Sequence, residues 1–442
     1  MSLTAKVLLA MVLGIAVGLI LNVTGINTEG SFIGDYIVEG LLYVVGAMFI
    51  AALKMLVVPL VFFSLLSGVL GIGDIRKLGS VGLKSFGLYL LTTALAIAIA
   101  IALAAFTIPL FATPSAMPST FSTKEAPPLS DVLIHIIPEN VVEAFAAGNM
   151  LQIIFFSILL GISLLMVGKK AHSIAEGIEV MNEAMMHMVH MVMSIAPYAV
   201  FALLAKAVAQ LGLDLLMQLA VYVLVLVAAL MFHLFGTLML TLKILSGLNP
   251  KIFLEKIRDA QIFAFSTASS NATMPVTLRS VTKRMGVDNS VASFTVPFGA
   301  TINMDGTAIM QGVATVFIAN VYNIDLGIIG YLTVILMSVL ASIGTAGVPG
   351  VGLIMLSMVF VQVGLPVEGI GLILGVDRLL DMVRTSVNVT GDAVVTCIVA
   401  KSEEEIDLKV FSDEDAGLVE ELEIDDAGED ALADAVRKVE ES

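Results

Sequence analysis

The sequence predicts an all-α polytopic membrane protein, and three observations carry the prediction. Hydrophobic residues make up 58% of the 442 and charged ones 14%, against roughly a quarter charged in soluble domains, so most of the chain is solvated by lipid or packed within it. Apolar runs long enough to cross a hydrocarbon core of roughly 30 Å lie near 4–22, 40–73, 82–110, 149–168, 184–210 and 214–243. Past Asn249 the pattern is interrupted by small and polar residues around Ser266–Thr277, Asn303–Thr307 and Ser342–Gly352. Such interruptions predict discontinuous helices and re-entrant hairpins, because backbone freed from a helix at membrane depth is tolerated only inside protein or around a cavity.

The first run follows Met1-Ser-Leu-Thr-Ala-Lys and resembles a signal peptide in length, but it lacks a small-residue cleavage site and precedes further spans. An uncleaved first helix is expected. The connection 111–148, with Pro114, Pro118, Pro127, Pro128 and Pro138, reads as an external loop. Basic residues from Arg76 and Lys77 through Lys169, Lys170, Lys243, Lys251, Lys283 and Arg284 to Lys401 fall on one side if the amino terminus is cytoplasmic; the opposite loops hold little beyond Lys124. That distribution fits eight transmembrane helices plus two re-entrant helical hairpins, about 252–284 from the cytoplasm and about 328–361 from outside, with both termini cytoplasmic. Hairpins entering from opposite sides are what inverted repeats produce, although these two share only Ser, Thr and Pro usage.

The last long segment, about Gly369 to Lys401, carries Asp377, Asp381, Arg384, Thr385, Asn388 and Asp392 among apolar residues. At about 100° per residue they fall within roughly a third of the helix circumference and form one polar stripe. A charge at the bilayer centre costs at least about 2.5–3.5 kcal/mol, so the stripe predicts a solute or ion pathway. The net charge of −16 says little about it, because residues 403–442 hold 17 Asp/Glu and 3 Lys/Arg. That acidic tail reads as solvated, with some amphipathic helix. The single Cys397 excludes an intramolecular disulfide.

Three local patterns add chemistry. ASSNATMPVT (268–277) places Ser269, Ser270, Asn271 and Thr273 at a hairpin tip with Pro275 restarting helix. Its hydroxyls and free amides suit an anionic group. TINMDGTAIMQG (301–312) breaks a helix at Asn303, Asp305, Gly306 and Thr307, freeing carbonyls beside a carboxylate, an oxygen environment for a hard cation such as sodium. ASIGTAGVPGVG (341–352) is a Gly-rich tip able to hinge as a lid.

Together with VDRLLDMVRTSVNVTGD (376–392), KMLVVPLVFFSLLSGV (54–69), YLLTT (89–93) and VAKSE (399–403), these patterns resemble the glutamate/aspartate transporter family, the dicarboxylate/amino acid:cation symporters. The resemblance implies symport of L-aspartate or L-glutamate with cations, sodium or alternatively protons. A neutral amino acid or C4-dicarboxylate carrier is the runner-up. It implies that Arg384 pairs with the substrate's side-chain carboxylate and Asp381 with its amino group, while Asn388, Thr385, Thr307, Ser269, Ser270 and the backbone near Val348 and Gly352 hold the main-chain groups. It likewise implies one sodium at the Gly299 and Asn388 carbonyls with Asn303 and Asp392. A second would lie among Thr301, Met304, Ser342, Ile343 and Thr345 oxygens, and a third among Tyr89, Thr92, Thr93, Asn303 and Asp305.

The resemblance further implies an elevator-type transport domain, 82–110 with 214–402, moving against scaffold and trimerisation helices, 1–81 and 149–213, in a homotrimer of the plasma membrane (the inner membrane of a bacterial cell). Relatives carry an additional Arg near the site, in the first hairpin or two residues before the substrate Arg; here those positions are Ala268 and Met382, and Arg378 stands at the edge of the stripe.

Plainer readings stand beside these. Asp381 and Arg384 at i and i+3 also suit a structural ion pair, Asp305 and Asp392 hydrogen-bonded core carboxylates, and Lys54 a snorkelling or scaffold contact. His187 and His190 amid methionines read as packing rather than metal ligands, and the 24 Met residues as adaptable filling. An enzyme is not expected: a serine nucleophile needs a base and no His occurs in 249–402, and a carboxylate dyad sharing a proton is disfavoured beside Arg384 and Asn303. Nothing in the sequence points to a nucleic acid partner.

Overall fold

The computed structural model describes residues 3–28, 30–70, 78–111, 137–343, 347 and 349–417, and among them there is no β-strand, only an isolated antiparallel bridge between Val287 and Ile406. The helices are α1 (Leu3–Thr24), α2 (Tyr43–Leu70, preceded by π-helical Ile33–Leu42), α3 (Leu83–Phe111), α4 (Val141–Ala147), α5 (Met150–Val167), α6 (His172–Ser194), α7 (Ala196–Leu211) and α8 (Leu213–Phe232). A π-helical turn, His233–Leu238, joins α8 to α9 (Met239–Ser246). There follow α10 (Pro250–Thr267), α11 (Ser270–Arg279), α12 (Asn289–Ile302), α13 (Asp305–Val321), α14 (Gly327–Ser342), α15 (Val351–Val363), α16 (Ile370–Ser402) and α17 (Leu408–Ser412). Five helical stretches among the described residues are long and apolar enough to cross a membrane: Ala5–Thr24, Ile33–Leu70, Ser80–Leu110, Gln152–Ser194 and Leu215–Ser246.

The run near 149–168 corresponds to α5, which ends where Gly168 takes φ 69°. The run near 184–210 is divided between α6 and α7, with helix restarting at Ala196 and Pro197 in its first turn. Proline supplies no N–H and is best tolerated in a first turn, where that donor would be unsatisfied anyway, so Pro197 suits the restart. Apolarity alone does not register that boundary.

Helix α1 lies along α7 because of Gly14-x-x-x-Gly18. A Cβ on Gly14 would stand 2.8 Å from Phe201 O and one on Gly18 2.7 Å from Ala205 O, so the backbones touch where small residues allow it. Helix α2 packs on α5, α6 and α7, while α16 collects α10, α12 and α13, and α13 packs along α3. The two groups meet where α16 crosses α1 and α7. Lys54 of α2 reaches Glu368, just before α16, at 3.4 Å with both side chains about half exposed.

In α10–α11, Asn249 caps the first helix by accepting from Lys251 N, and Ser269 caps the second by accepting from Ala272 N. Ala268 between them takes φ 51°, a left-handed position that usually falls to glycine. The break between α12 and α13 consists of Asn303 and Met304 alone; Asp305, Gly306 and Thr307 are already helical. Gly306 is therefore no turn residue: its Cβ would lie 2.5 Å from Arg384 O, so it lets the first turn of α13 rest on the backbone of α16.

Residues 112–136 of the proposed external loop and 418–442 of the tail lie outside the described residues. Most side chains of 403–417 are exposed and a short helix, α17, forms there, but the backbone is also docked against the bundle. Asp288 N donates to Glu405 O and Asp407 N to Gly286 O. Phe411 is buried, and the buried Lys256 ammonium donates to the carbonyls of Arg284, Val410 and Asp413. Glu403 pairs with Lys84 and Ser80 at the start of α3. A composition dominated by Asp and Glu concealed one Phe and an incoming Lys able to anchor the segment.

Replacing Gly18 with Val should separate α1 from α7 and lower stability by about 1–3 kcal/mol, the range for overpacking, read as a fall in the thermal unfolding midpoint of the detergent-purified protein. An unchanged midpoint would show that this approach contributes nothing.

Candidate functional site

The stripe on α16 is inside the protein along its whole length: Asp377, Asp381, Arg384, Thr385, Asn388 and Asp392 are all buried. Arg384 has no exposed surface. Its Nη1 donates to Asp377 Oδ1 at 2.7 Å and its Nη2 to Asp381 Oδ1 at 2.8 Å, which meets the demand of a buried guanidinium for anionic partners. Its Nε has no partner among the described residues. Asp381 Oδ2 accepts from Gly350 N at 3.3 Å and lies 3.9 Å from Arg378 Nη1, so Arg378 does reach the site from the edge of the stripe. Thr385 turns its hydroxyl back to Asp381 O, and Asn388 Oδ1 accepts from Gly306 N at 2.7 Å.

One turn further along α16 an oxygen cluster joins α3, α12 and α13. Thr92 Oγ1 stands 3.1 Å from Tyr89 O and 3.4 Å from both Asn303 Oδ1 and Asp305 Oδ1, and the Thr93 hydroxyl donates to Asp305 Oδ1 at 2.7 Å. Asn303 Nδ2 donates to Asp392 Oδ1 at 2.9 Å and Asn303 N to Gly299 O at 2.7 Å. Glycine is required twice here. A Cβ on Gly299 would meet Asp392 Oδ1 at 2.6 Å and Tyr89 Oη at 2.7 Å, and one on Gly391 would meet Asn303 Nδ2 at 2.6 Å. Carbonyls, hydroxyls, an amide oxygen and carboxylates converging from four helices, α3, α12, α13 and α16, fit a hard alkali cation.

The α10–α11 connection meets Gly347, between α14 and α15, whose carbonyl accepts from Ser269 Oγ at 2.7 Å and from Asn271 N at 3.2 Å. Donors of that connection are thus spent on Gly347, with Ser270 buried beside them. Thr307 and Gly352 face Arg384: a Cβ on Gly352 would lie 3.2 Å from Thr307 Cγ2 and 3.6 Å from Arg384 Nη2. A cavity of about 160 Å³ opens alongside, lined by Pro349, Gly350, Asp377, Asp381 and, from α6 and α7, His190 and Val200.

Not every expected residue is gathered in. The Thr301 hydroxyl turns to Phe298 O, the Ser342 hydroxyl to Val339 O, Ile343 N to Leu340 O, and Met304 O accepts from Ala308 N. No hydrogen bond among the described residues joins the Thr301–Met304 pair to the Ser342–Ile343 pair. Thr345 and Val348 lie outside the described residues. His187 and His190, read together as packing, are both exposed on α6, and His190 lines the cavity.

Two residues were missed as partners. Asp377 belongs to the stripe, yet its pairing with Arg384 two turns away was not foreseen, although i, i+7 positions share a helix face. His233 escaped notice altogether. Its Nε2 lies 3.0 Å from Asp305 Oδ2 with both side chains buried, and the available signal was an imidazole in the middle of an apolar run charged only at its ends, by Asp214 and Lys243.

Residues 3–402 match the sodium:dicarboxylate symporter family. The chain is 34% identical to the proton/sodium-glutamate symport protein of Bacillus caldotenax over 398 residues, covering 88% of this chain and 93% of that protein. It is 36% identical to the proton/glutamate-aspartate symporter of Escherichia coli (strain K12) over 420 residues, 92% and 94% of the two chains. It is 33% identical to the C4-dicarboxylate transport protein of Bacillus subtilis (strain 168) over 424 residues, again 92% and 94%. Discontinuous helices, a buried guanidinium between carboxylates and this match over nearly the whole chain agree: the protein is a membrane transporter, not an enzyme, and belongs to the sodium:dicarboxylate symporter family.

Proposed function

We propose that this protein is a secondary symporter of L-aspartate or L-glutamate driven by sodium, with Arg384 as the anchor for the cargo's side-chain carboxylate. One observation carries the reading. Four carboxylates, Asp305, Asp377, Asp381 and Asp392, are buried at the site against one fully buried guanidinium, Arg384. A site with that excess of negative charge holds an anionic cargo only if cations enter with it, because uncompensated charge in a low dielectric costs several kcal/mol per ion. The oxygen donors around Asp305 and Asp392 are suited to sodium. Asp381 supplies a counter-charge for an ammonium, favouring an amino acid over a plain dicarboxylate.

The cargo's carboxylate would take over one Asp contact of Arg384 or use its unpartnered Nε. Asn388, Thr385, Thr307, Ser269, Ser270 and the backbone at Val348 and Gly352 would hold the α-carboxylate and amine. Gly299, Asn303, Asn388 and Asp392 would form one sodium site and Tyr89, Thr92, Thr93, Asn303 and Asp305 another. A site among Thr301, Met304, Ser342, Ile343 and Thr345 would require the second tip to move. We place the two re-entrant hairpins in α10–α11 and α14–α15, within a body comprising 82–110 and 214–402 that slides against 1–81 and 149–213 in a homotrimer, with both termini cytoplasmic. The second reading is proton coupling, favoured by the names of the Bacillus caldotenax and Escherichia coli relatives.

Arg384→Thr should weaken aspartate binding by at least about 3 kcal/mol, more than a hundredfold, since an ionic cargo loses its partner. Isothermal titration with serine and aspartate measures the switch, and aspartate binding equal to the parent's would refute the anchor. Asp381→Asn keeps shape but removes the charge facing an ammonium, so competition assays should show aspartate affected far more than succinate. Equal losses would instead make Asp381 a structural partner of Arg384.

A further inference from the structure

Asp305 begins α13, and its two oxygens have different surroundings. Oδ1 faces the Thr92 and Thr93 hydroxyls and, through Thr92, Asn303 Oδ1. Oδ2 is held from the other side by His233 Nε2 at 3.0 Å. The imidazole and the carboxylate are 1% and 0% exposed. His233 also opens the π-helical turn His233–Leu238 in the middle of a long apolar span. Such turns widen a helix locally, re-aim side chains and recur at functional positions.

The hydrogen-bond pattern fixes the form of the ring. His233 Nδ1 is buried without a partner among the described residues. A proton on Nδ1 alone would set a bare Nε2 lone pair against a carboxylate oxygen and strand an N–H in a dry interior; protons on both nitrogens would strand the same N–H. Only the neutral tautomer with hydrogen on Nε2 makes the observed contact without a stranded donor.

We propose that His233 is a positioning residue for the cation site. Its neutral imidazole pins Asp305 Oδ2, so that Oδ1 alone turns toward the oxygens of Tyr89, Thr92 and Asn303. A carboxylate fixed by one oxygen offers a single, pre-aimed ligand; without the pin it rotates about its χ2 bond, and a cation must order it on binding. The inference rests on the reading of Asp305 as a cation ligand given above, and it involves no change of charge on the ring.

The test is sodium-dependent thermal stabilisation of the full-length protein in detergent, without amino acid cargo, at one pH and with choline chloride holding ionic strength constant. The parent should show a saturable rise in melting temperature. His233→Gln, whose amide N–H reaches about as far as Nε2, should keep the sodium midpoint within about twofold. His233→Phe, which keeps the ring without the donor, and His233→Asn, which is too short, should raise it about tenfold, the loss of one hydrogen bond to a carboxylate. Melting in choline alone controls for folding. A Phe variant with the parent's midpoint, or Gln and Phe shifted alike, would overturn the proposal; if Phe does not fold, equal midpoints for Gln and Asn overturn it. A parent that ignores sodium would overturn the cation reading of Asp305 first, and this inference with it.

Discussion

Arg384 is fully buried, and a guanidinium does not give up its proton, so its charge has to be met by anions in every state the protein visits. Asp377 and Asp381 meet it here from two turns and one turn away on the same helix. Because both partners ride on α16, the cluster can move as a unit without exposing an unpaired charge. Under the proposed function, cargo selection becomes an exchange: a substrate carboxylate would be admitted where it replaces one of these contacts, and an uncharged cargo would leave the internal pairs as they are.

The oxygen cluster depends on the same helix through close backbone approach. Gly306 brings the start of α13 onto the Arg384 carbonyl, Gly391 admits the Asn303 amide, and Gly299 leaves space for Asp392 and Tyr89. These three absences of a side chain fix Asn303 between Asp392 and the Thr92–Asp305 pair, only a few residues from Arg384. The proposed cation ligands and cargo anchor are therefore parts of one packed unit, and an ion that ordered Asn303 or Asp305 would also bear on the turn of α13 that touches Arg384. That shared backbone is a physical route for coupling, because ligands that favour the same arrangement must raise each other's affinity.

Much of this was legible in the residues. The stripe from Asp377 to Asp392 could be read as a buried face because its spacing admits one helix side and hydrocarbon tolerates no casual charge. The helix break at Asn303 and the Gly-rich second tip could be read from local composition. What stayed hidden depends on contacts between distant segments. Gly306 looks like a turn residue until Arg384 is seen beneath it, and His233 is anonymous until its 72-residue separation from Asp305 is closed. The docking of 403–417 was masked by its charge, since the Lys256 that holds it lies on α10. That the run 184–210 divides at Ile195, just before Pro197, is likewise something a hydropathy average does not weigh.

The central claim is that buried carboxylates in an oxygen cage make cation entry a condition of acidic amino acid uptake. Uptake of labelled aspartate into proteoliposomes, with sodium and proton gradients imposed separately, tests it most directly. Concentrative uptake under an inward sodium gradient at equal pH on both sides, and none under a proton gradient in sodium-free buffer, is the predicted result. Accumulation driven by the proton gradient alone, indifferent to sodium, would contradict it and make the same cage a proton-coupled one.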